Sequence, residues 1–281
     1  MKIFRTFSCL ILVVSICMLC GCQEQKKVTV EAPAVTGTFD FTVLKSGQAD
    51  AIFMQTENFN IVLDVGEKDD GDEVVEHLSE LGIENIDYLF ITHFDKDHVG
   101  GFPVVLGNVT ASNIIVPDYI GNNDEYEEYL KTVSEYNLQI TTLTEDTSFV
   151  LDDVLLEVSV PKKKTYAEGD NDFSLIMSVT HGENTFLFAG DAEEGRLPEV
   201  LSEFGRQYDF LKVPHHGKHN KVTQRFINTV KPKYAVITDS DKNPAENKTV
   251  SLLETAKAEI YSTRDGDVSV VSNGTEIVIN Q

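Results

Sequence analysis

Four potential metal ligands, His93, Asp95, Asp97 and His98, stand within six residues directly behind an apolar run, Ile86-Asp-Tyr-Leu-Phe-Ile-Thr92, that reads as a buried strand. This junction constrains the fold more than any other feature of the chain. A buried strand delivers whatever follows it to the edge of a sheet, and carboxylates placed there cannot enter a core unpaired. The chain must bring further strand ends to the same place and neutralise the cluster with a cation. The simplest such cation is a pair of divalent metal ions.

The same pattern recurs along the sequence. Polar residues appear where apolar strands stop: Asp64 after 59–63, Gly190-Asp191 after 185–189, and Pro214-His215-His216-Gly217 after 208–213. Further strands are expected at 39–44, 51–54, 112–117, 151–160, 173–180 and 234–238, with two more at the C-terminus. Helices are expected at 72–82, where Val75, Leu78 and Leu81 keep near-helical spacing and Gly82 supplies the stop, and near 123–136, 222–230 and 250–257. Strands interleaved with helices and no linker between them predict one layered α/β domain with mixed sheets. Sites in such sheets lie beyond strand ends. His77, on a helix with charged neighbours, and His181, in a hairpin turn, read as solvated histidines.

The N-terminus reads as an export signal, with Lys2 and Arg5 ahead of a short apolar stretch from Leu10 to Leu19. The sequence Leu19-Cys20-Gly21-Cys22 resembles a bacterial lipobox with Cys22 as the lipidated residue. The expected organisation is a lipoprotein signal peptide at 1–21, a tether at 22–37 and a folded domain at 38–281. The expected location is the extracytoplasmic face of a bacterial cell membrane, held by lipid at Cys22. All four cysteines lie between positions 9 and 22, so the domain beyond has no disulfide, thiolate nucleophile or thiolate ligand. Removing 1–21 subtracts Lys2 and Arg5 from a formal charge of −23 and leaves −25. That balance opposes non-specific nucleic-acid binding and docking on anionic lipid. The sequence names no protein partner.

If the segment after Thr92 is extended, His93, Asp95 and Asp97 share a face and His98 points elsewhere. The four side chains then divide between two ions. Asp191, after a turn glycine that permits close backbone approach, is the candidate bridge. His215 or His216 closes the shell.

The chain resembles the metallo-β-lactamase superfamily, whose signature is His-x-His-x-Asp-His at a strand end, a later Gly-Asp and a late His. Asp95 stands here in place of the second His. With Gly47-Gln48-Ala49-Asp50-Ala51, Asn171-Asp172-Phe173-Ser174-Leu175, Phe188-Ala-Gly-Asp191, Leu211-Lys-Val-Pro-His-His-Gly217 and Thr263-Arg-Asp-Gly-Asp267, this variant is similar to the extracellular hydrolase domain of ComEC-type competence proteins. The resemblance runs from about 38 to 279. It implies an αββα four-layer sandwich, with mixed sheets and helices outside, and a metal set of His93, Asp95, Asp97, His98, Asp191 and His215. His215 is preferred to His216 as the first histidine after the strand. Asp64 is implied to orient the metal loop. Asn171 and Ser174 stand where lactamase-type members have another histidine, and are expected to meet substrate. His216 and Lys218 are expected beside them.

Two divalent ions of this kind activate water and stabilise an in-line displacement, with Asp97 placed to handle the proton. A carboxylate-rich shell suits Mn²⁺ or Mg²⁺ as well as Zn²⁺. The implied reaction is hydrolysis of a phosphodiester or related phosphate ester, with DNA, a nucleotide or a smaller ester as substrate. The rival readings are a metal-binding protein without turnover and a hydrolase of another ester or a lactone. The chain departs from the ComEC-like pattern at Lys218-His219-Asn220-Lys221 and at 239–248. Both departures bear on substrate rather than metal.

Overall fold

The computed structural model describes residues 30–167 and 169–281, so the segment read as an export signal and Cys22 lie outside the described residues. Residues Glu31–Gln281 form one compact unit. The chain opens with an antiparallel meander, β1 (Phe39–Val43), β2 (Ala51–Gln55) and β3 (Asn60–Val65). Helix α1 (Gly71–Glu80) crosses over to β4 (Asn85–Phe90), parallel to β3. Two short helices, α2 (Lys96–Val99) and α3 (Phe102–Asn108), precede β5 (Thr110–Pro117). Helix α4 (Asp124–Glu135) then leads to β6 (Ile140–Leu143). The second sheet begins with the antiparallel run β7 (Thr147–Leu151), β8 (Val154–Ser159), β9 (Ile176–His181) and β10 (Asn184–Phe188). Helices α5 (Leu197–Phe204), α6 (Thr223–Val230) and α7 (Asn247–Thr255) connect β10 to three parallel strands, β11 (Phe210–Lys212), β12 (Tyr234–Ile237) and β13 (Glu259–Ser262). The last strands, β14 (Val268–Ser272) and β15 (Ile277–Asn280), return to the first sheet, where β14 pairs with β1.

The strand orders are β15-β14-β1-β2-β3-β4-β5-β6 and β13-β12-β11-β10-β9-β8-β7. Alternation along the strands explains the layers. Phe41, Met54, Ile61 and Phe90 of the first sheet share a core with Leu156, Val179, Phe186 and Phe210 of the second. The intervening residues Phe53, Val62 and Leu89 face α1, α3 and α4, and Leu187, Leu211 and Ala235 face α5, α6 and α7. The result is the four-layer sandwich implied by the resemblance. Phe41 sits at its centre, edge-on to Phe186, Phe188 and Phe210 at 5.5, 5.5 and 4.9 Å between ring centroids.

Several elements differ from the sequence reading. Helices α2 and α3 replace the extended loop expected after His93, so Asp97 and His98 lie in a helical turn and the two-residue face rule does not apply to them. Gly101 permits a close approach behind these helices: a Cβ there would lie 2.1 Å from the Val65 carbonyl oxygen. His181 is fully buried, with Nδ1 2.8 Å from Ser272 Oγ and Nε2 3.5 Å from Asp153. His77 is half-buried edge-on to Phe53, and burial holds its pKa below the usual histidine value. Asp153 also accepts from the backbone N–H groups of Thr36 and Gly37, so the end of the segment read as tether is pinned onto the domain.

Candidate metal centre

Strands β3, β4, β10 and β11 each run toward the same end of the sandwich and stop where the polar residues begin. Asp64 sits in the last turn of β3 with φ at 59°, a left-handed backbone that an aspartate tolerates better than a branched residue would. Its carboxylate accepts from Thr92 N–H at 2.7 Å, Thr92 O–H at 2.8 Å and His98 Nδ1 at 2.8 Å. These contacts fix the chain just past β4 and leave His98 Nε2 as the free ring nitrogen. Thr92 Oγ1 also lies 3.0 Å from His93 Nδ1, which leaves His93 Nε2 free in the same way.

From the second sheet comes Asp191. Gly190, with φ at 49°, makes the turn, and a Cβ there would lie 2.9 Å from Ser174. Ser174 Oγ accepts from Asp191 N–H at 3.1 Å, donates to the Asn171 carbonyl at 2.7 Å and lies 3.4 Å from His93 Nδ1. It therefore supports the Asp191 loop. After β11, His215 and His216 both adopt left-handed backbone, φ 49° and 53°. Two successive non-glycine residues in this region cost about 1–2 kcal/mol each. Strain concentrated at one place of this kind marks a functional site.

Asp97, His98, Asp191 and His216 converge, one donor atom from each lying within 4.8 Å of the others. His98 Nε2 is 3.3 Å from Asp191 Oδ1, and His216 Nε2 is 3.0 Å from Asp191 Oδ2 and 3.4 Å from Asp97 Oδ2. The ring of His216 is held from behind, Nδ1 lying 2.9 Å from Thr238 Oγ1. The preference for His215 is therefore corrected. The tight left-handed turn sends consecutive side chains different ways, and it is His216 that meets the carboxylates. His215 Nδ1 contacts Glu193, while its Nε2 lies 2.8 Å from Lys218 Nζ and 3.4 Å from Asn171 Nδ2. It stays 3.8 Å from Asp191. His93 and Asp95 form a separate pair, 3.6 Å apart, and Asp95 is the more exposed partner.

The electrostatics match the geometry. Burial alone would lower the pKa of both cluster histidines, but carboxylates outweigh it. Asp191, Asp64 and Asp50 hold His98 well above the usual range, and Asp191 and Asp97 lift His216 to about 9. Burial likewise opposes ionisation of Asp191 and Asp97, and the cluster histidines overcome it, holding both well below the carboxylate range. A divalent cation fits this donor set. His93 Nε2, His98 Nε2, His216 Nε2 and Asp191 Oδ1 are buried and carry no hydrogen bond. Buried polar atoms without partners are rare unless something else satisfies them.

Two residues of the site escaped the sequence reading. Asp50 and Lys212 are fully buried and form an ion pair beside the cluster. A lysine inside an apolar strand, as in Leu211-Lys212-Val213, was the available signal, because a buried lysine needs a counter-ion.

The Metallo-beta-lactamase superfamily model matches residues 44–238, which include every cluster residue. Among curated proteins, the chain is 26% identical over 171 residues to ComE operon protein 3 of Bacillus subtilis (strain 168), covering 60% of this chain and 22% of that protein. It is 26% identical over 220 residues to competence protein ComA of Neisseria gonorrhoeae, covering 77% of this chain and 29% of that one. The chain thus spans less than a third of the length of these relatives. Among solved structures, the metallo-beta-lactamase fold protein YhfI from Bacillus subtilis superposes with a TM-score of 0.54 at 12% identity, covering 83% of this chain and 99% of that one. Igni18, a metallo hydrolase from Ignicoccus hospitalis, superposes at 0.52 and 14% identity, covering 87% and 99%. The αββα sandwich, the convergent strand ends and the match across most of the chain agree: this protein belongs to the metallo-beta-lactamase superfamily.

Proposed function

We propose that this protein is a divalent-metal-dependent hydrolase of phosphodiester or related phosphate-ester bonds, lipid-anchored through Cys22 on the extracytoplasmic face of a bacterial membrane. The observation that carries the reading is the convergence of Asp97, His98, Asp191 and His216 with buried nitrogen and oxygen atoms that have no other partner. His93 and Asp95 extend the donor set toward a second ion. When bound, divalent ions supply Lewis acidity and activate water at neutral pH. Zn²⁺ and Mn²⁺ are the proposed occupants, since the set mixes imidazoles with hard carboxylates.

The chain's own residues do the rest. Asp64 and Thr238 aim the two cluster histidines through their Nδ1 atoms. Asp97, largely buried with its carboxylate beside His216, accepts a proton or orients the attacking water. Lys218 and Asn171 converge on His215 Nε2 at the rim of the site and can instead donate to the oxygens of a phosphate group. DNA is a candidate substrate because the curated relatives are competence proteins. A formal charge of −23 favours a smaller ester instead, because a polymer substrate must approach against that field.

Turnover of bis-p-nitrophenyl phosphate by the purified protein with Zn²⁺ or Mn²⁺ tests the reading. Activity that disappears in an Asp97→Ala/His98→Ala double variant supports it, and no turnover with either metal refutes it. Cleavage of single- and double-stranded DNA across salt concentrations separates the substrates. Phosphodiester turnover with DNA left intact assigns the smaller ester. The anchor is tested by Cys22→Ser, which releases the protein from the membrane fraction if the lipid is the tether.

A further inference from the structure

Lys212 and Asp50 lie directly behind the cluster, and neither is a member of it. Lys212 Nζ is fully buried, in contact with the Asp50 carboxylate, 3.4 Å from the Gly190 carbonyl and 3.7 Å from Asp191 Oδ1. Asp191 Oδ1 has no hydrogen bond. A small movement of one flexible side chain would bring the ammonium onto it, and a lysine there would compete with a metal ion for the same oxygen. The contacts of Asp50 oppose that movement. Its Oδ1 accepts from Thr238 O–H at 2.7 Å, and its backbone N–H donates to the Asp97 carbonyl at 2.9 Å. Its backbone carbonyl accepts from Gly66 N–H at 2.9 Å. Asp50 is thus fixed on three sides, with one carboxylate oxygen left for the lysine.

We propose that Asp50 is a positioning residue that holds the Lys212 ammonium off Asp191, so that Asp191 stays available to the metal. The pair is a resident cation and its restraint, built into the wall of the site. The proposal rests on the metal-centre reading above. Its signature is non-additivity. Asp50→Asn frees Lys212 to turn to Asp191, and removing the lysine from that variant cancels the effect. A purely structural role also lets the double variant recover stability, because a buried charge left alone is the worst case, but it leaves the Zn²⁺ affinity of the folded single variant unchanged.

The test is Zn²⁺ titration of the metal-stripped full chain, purified in detergent, with thermal unfolding measured alongside. Asp50→Asn is expected to weaken Zn²⁺ binding by about 10–100-fold, the usual effect of losing a group that supports a metal ligand. Asp50→Asn/Lys212→Met is expected to regain most of that affinity. Replacing both members by neutral residues of similar volume is tolerated far better than leaving one charge buried alone. Should Asp50→Asn fail to fold, the double variant decides by itself: near wild-type affinity supports the proposal, and a hundredfold loss overturns it. Unchanged affinity in Asp50→Asn also overturns it, as does a double variant no better than the single. A wild-type chain that does not bind Zn²⁺ refutes the metal centre itself, an outcome distinct from all of these.

Discussion

Asp64→Asn alters how His98 is aimed while leaving its surroundings nearly intact. Asparagine adopts left-handed backbone readily, so φ at 59° adds no strain. The amide oxygen can keep the bond from Thr92 N–H, but the amide nitrogen then faces His98 Nδ1 and the Thr92 hydroxyl, both of which donate in the wild type. The Thr92 hydroxyl can turn and accept from the amide, but the His98 Nδ1–H cannot pair with it. As the neutral ring that a metal needs, His98 then pairs with the amide only by carrying its one proton on Nε2, aimed at Asp191 Oδ1, 3.3 Å away. In that tautomer His98 cannot ligate. Losing one hydrogen bond to a charged acceptor costs about 1.5–3 kcal/mol, or roughly 3–10 °C in Tm for a domain of this size. Losing the ring orientation costs about 10–100-fold in metal affinity. Thermal unfolding of metal-stripped protein and Zn²⁺ titration measure the two separately. Wild-type Zn²⁺ affinity in Asp64→Asn would refute the claim that Asp64 sets the histidine tautomer.

Two further outcomes lie away from the site. Burial, with Glu73, Glu67 and Asp69 nearby, lifts Asp70 to about 6 despite the hydrogen bond it accepts from Glu67 N–H. A raised carboxyl pKa favours the fold below the unfolded value of 3.8, and that contribution is lost as pH rises through about 6. Asp70→Asn should therefore unfold at a higher temperature than wild type at pH 8, by an amount equivalent to about 1 kcal/mol after discounting for solvent screening. The gap should close below about pH 4, and a constant gap across pH would contradict the assignment. His181→Leu removes one of the partners of Ser272 and one of Asp153 at the end of the sandwich remote from the cluster, and should cost about 1–3 kcal/mol of stability with Zn²⁺ affinity unchanged.

The parts of this protein that could be read from its sequence are those where one physical requirement dominates. Short, largely apolar runs set β3, β4, β10 and β11, and the polar residues behind each run are those that converge. What escaped depends on direction or on distant partners. Helix α2 is only four residues long, too short to show helical periodicity, and the close packing against Val65 is what demands glycine at Gly101. The edge strands β6 and β7 are short and half exposed, so they carry little hydrophobic signal. The choice between His215 and His216 turns on two left-handed residues in succession, which no local propensity encodes. His181 looked like a turn residue because its partners, Asp153 and Ser272, are remote in sequence. Lys212 and Asp50 are an ion pair between two sheets, visible only once the sheets are stacked.

The central claim is that Asp97, His98, Asp191 and His216 hold a divalent ion. The most direct measurement is the metal content of purified protein, supplied with Zn²⁺ and then desalted, compared across wild type, His215→Ala and His216→Ala. The expected result is at least one equivalent in the wild type, retention in His215→Ala and loss in His216→Ala. A wild type that retains no metal, or a His216→Ala variant that keeps it while His215→Ala does not, would contradict the account.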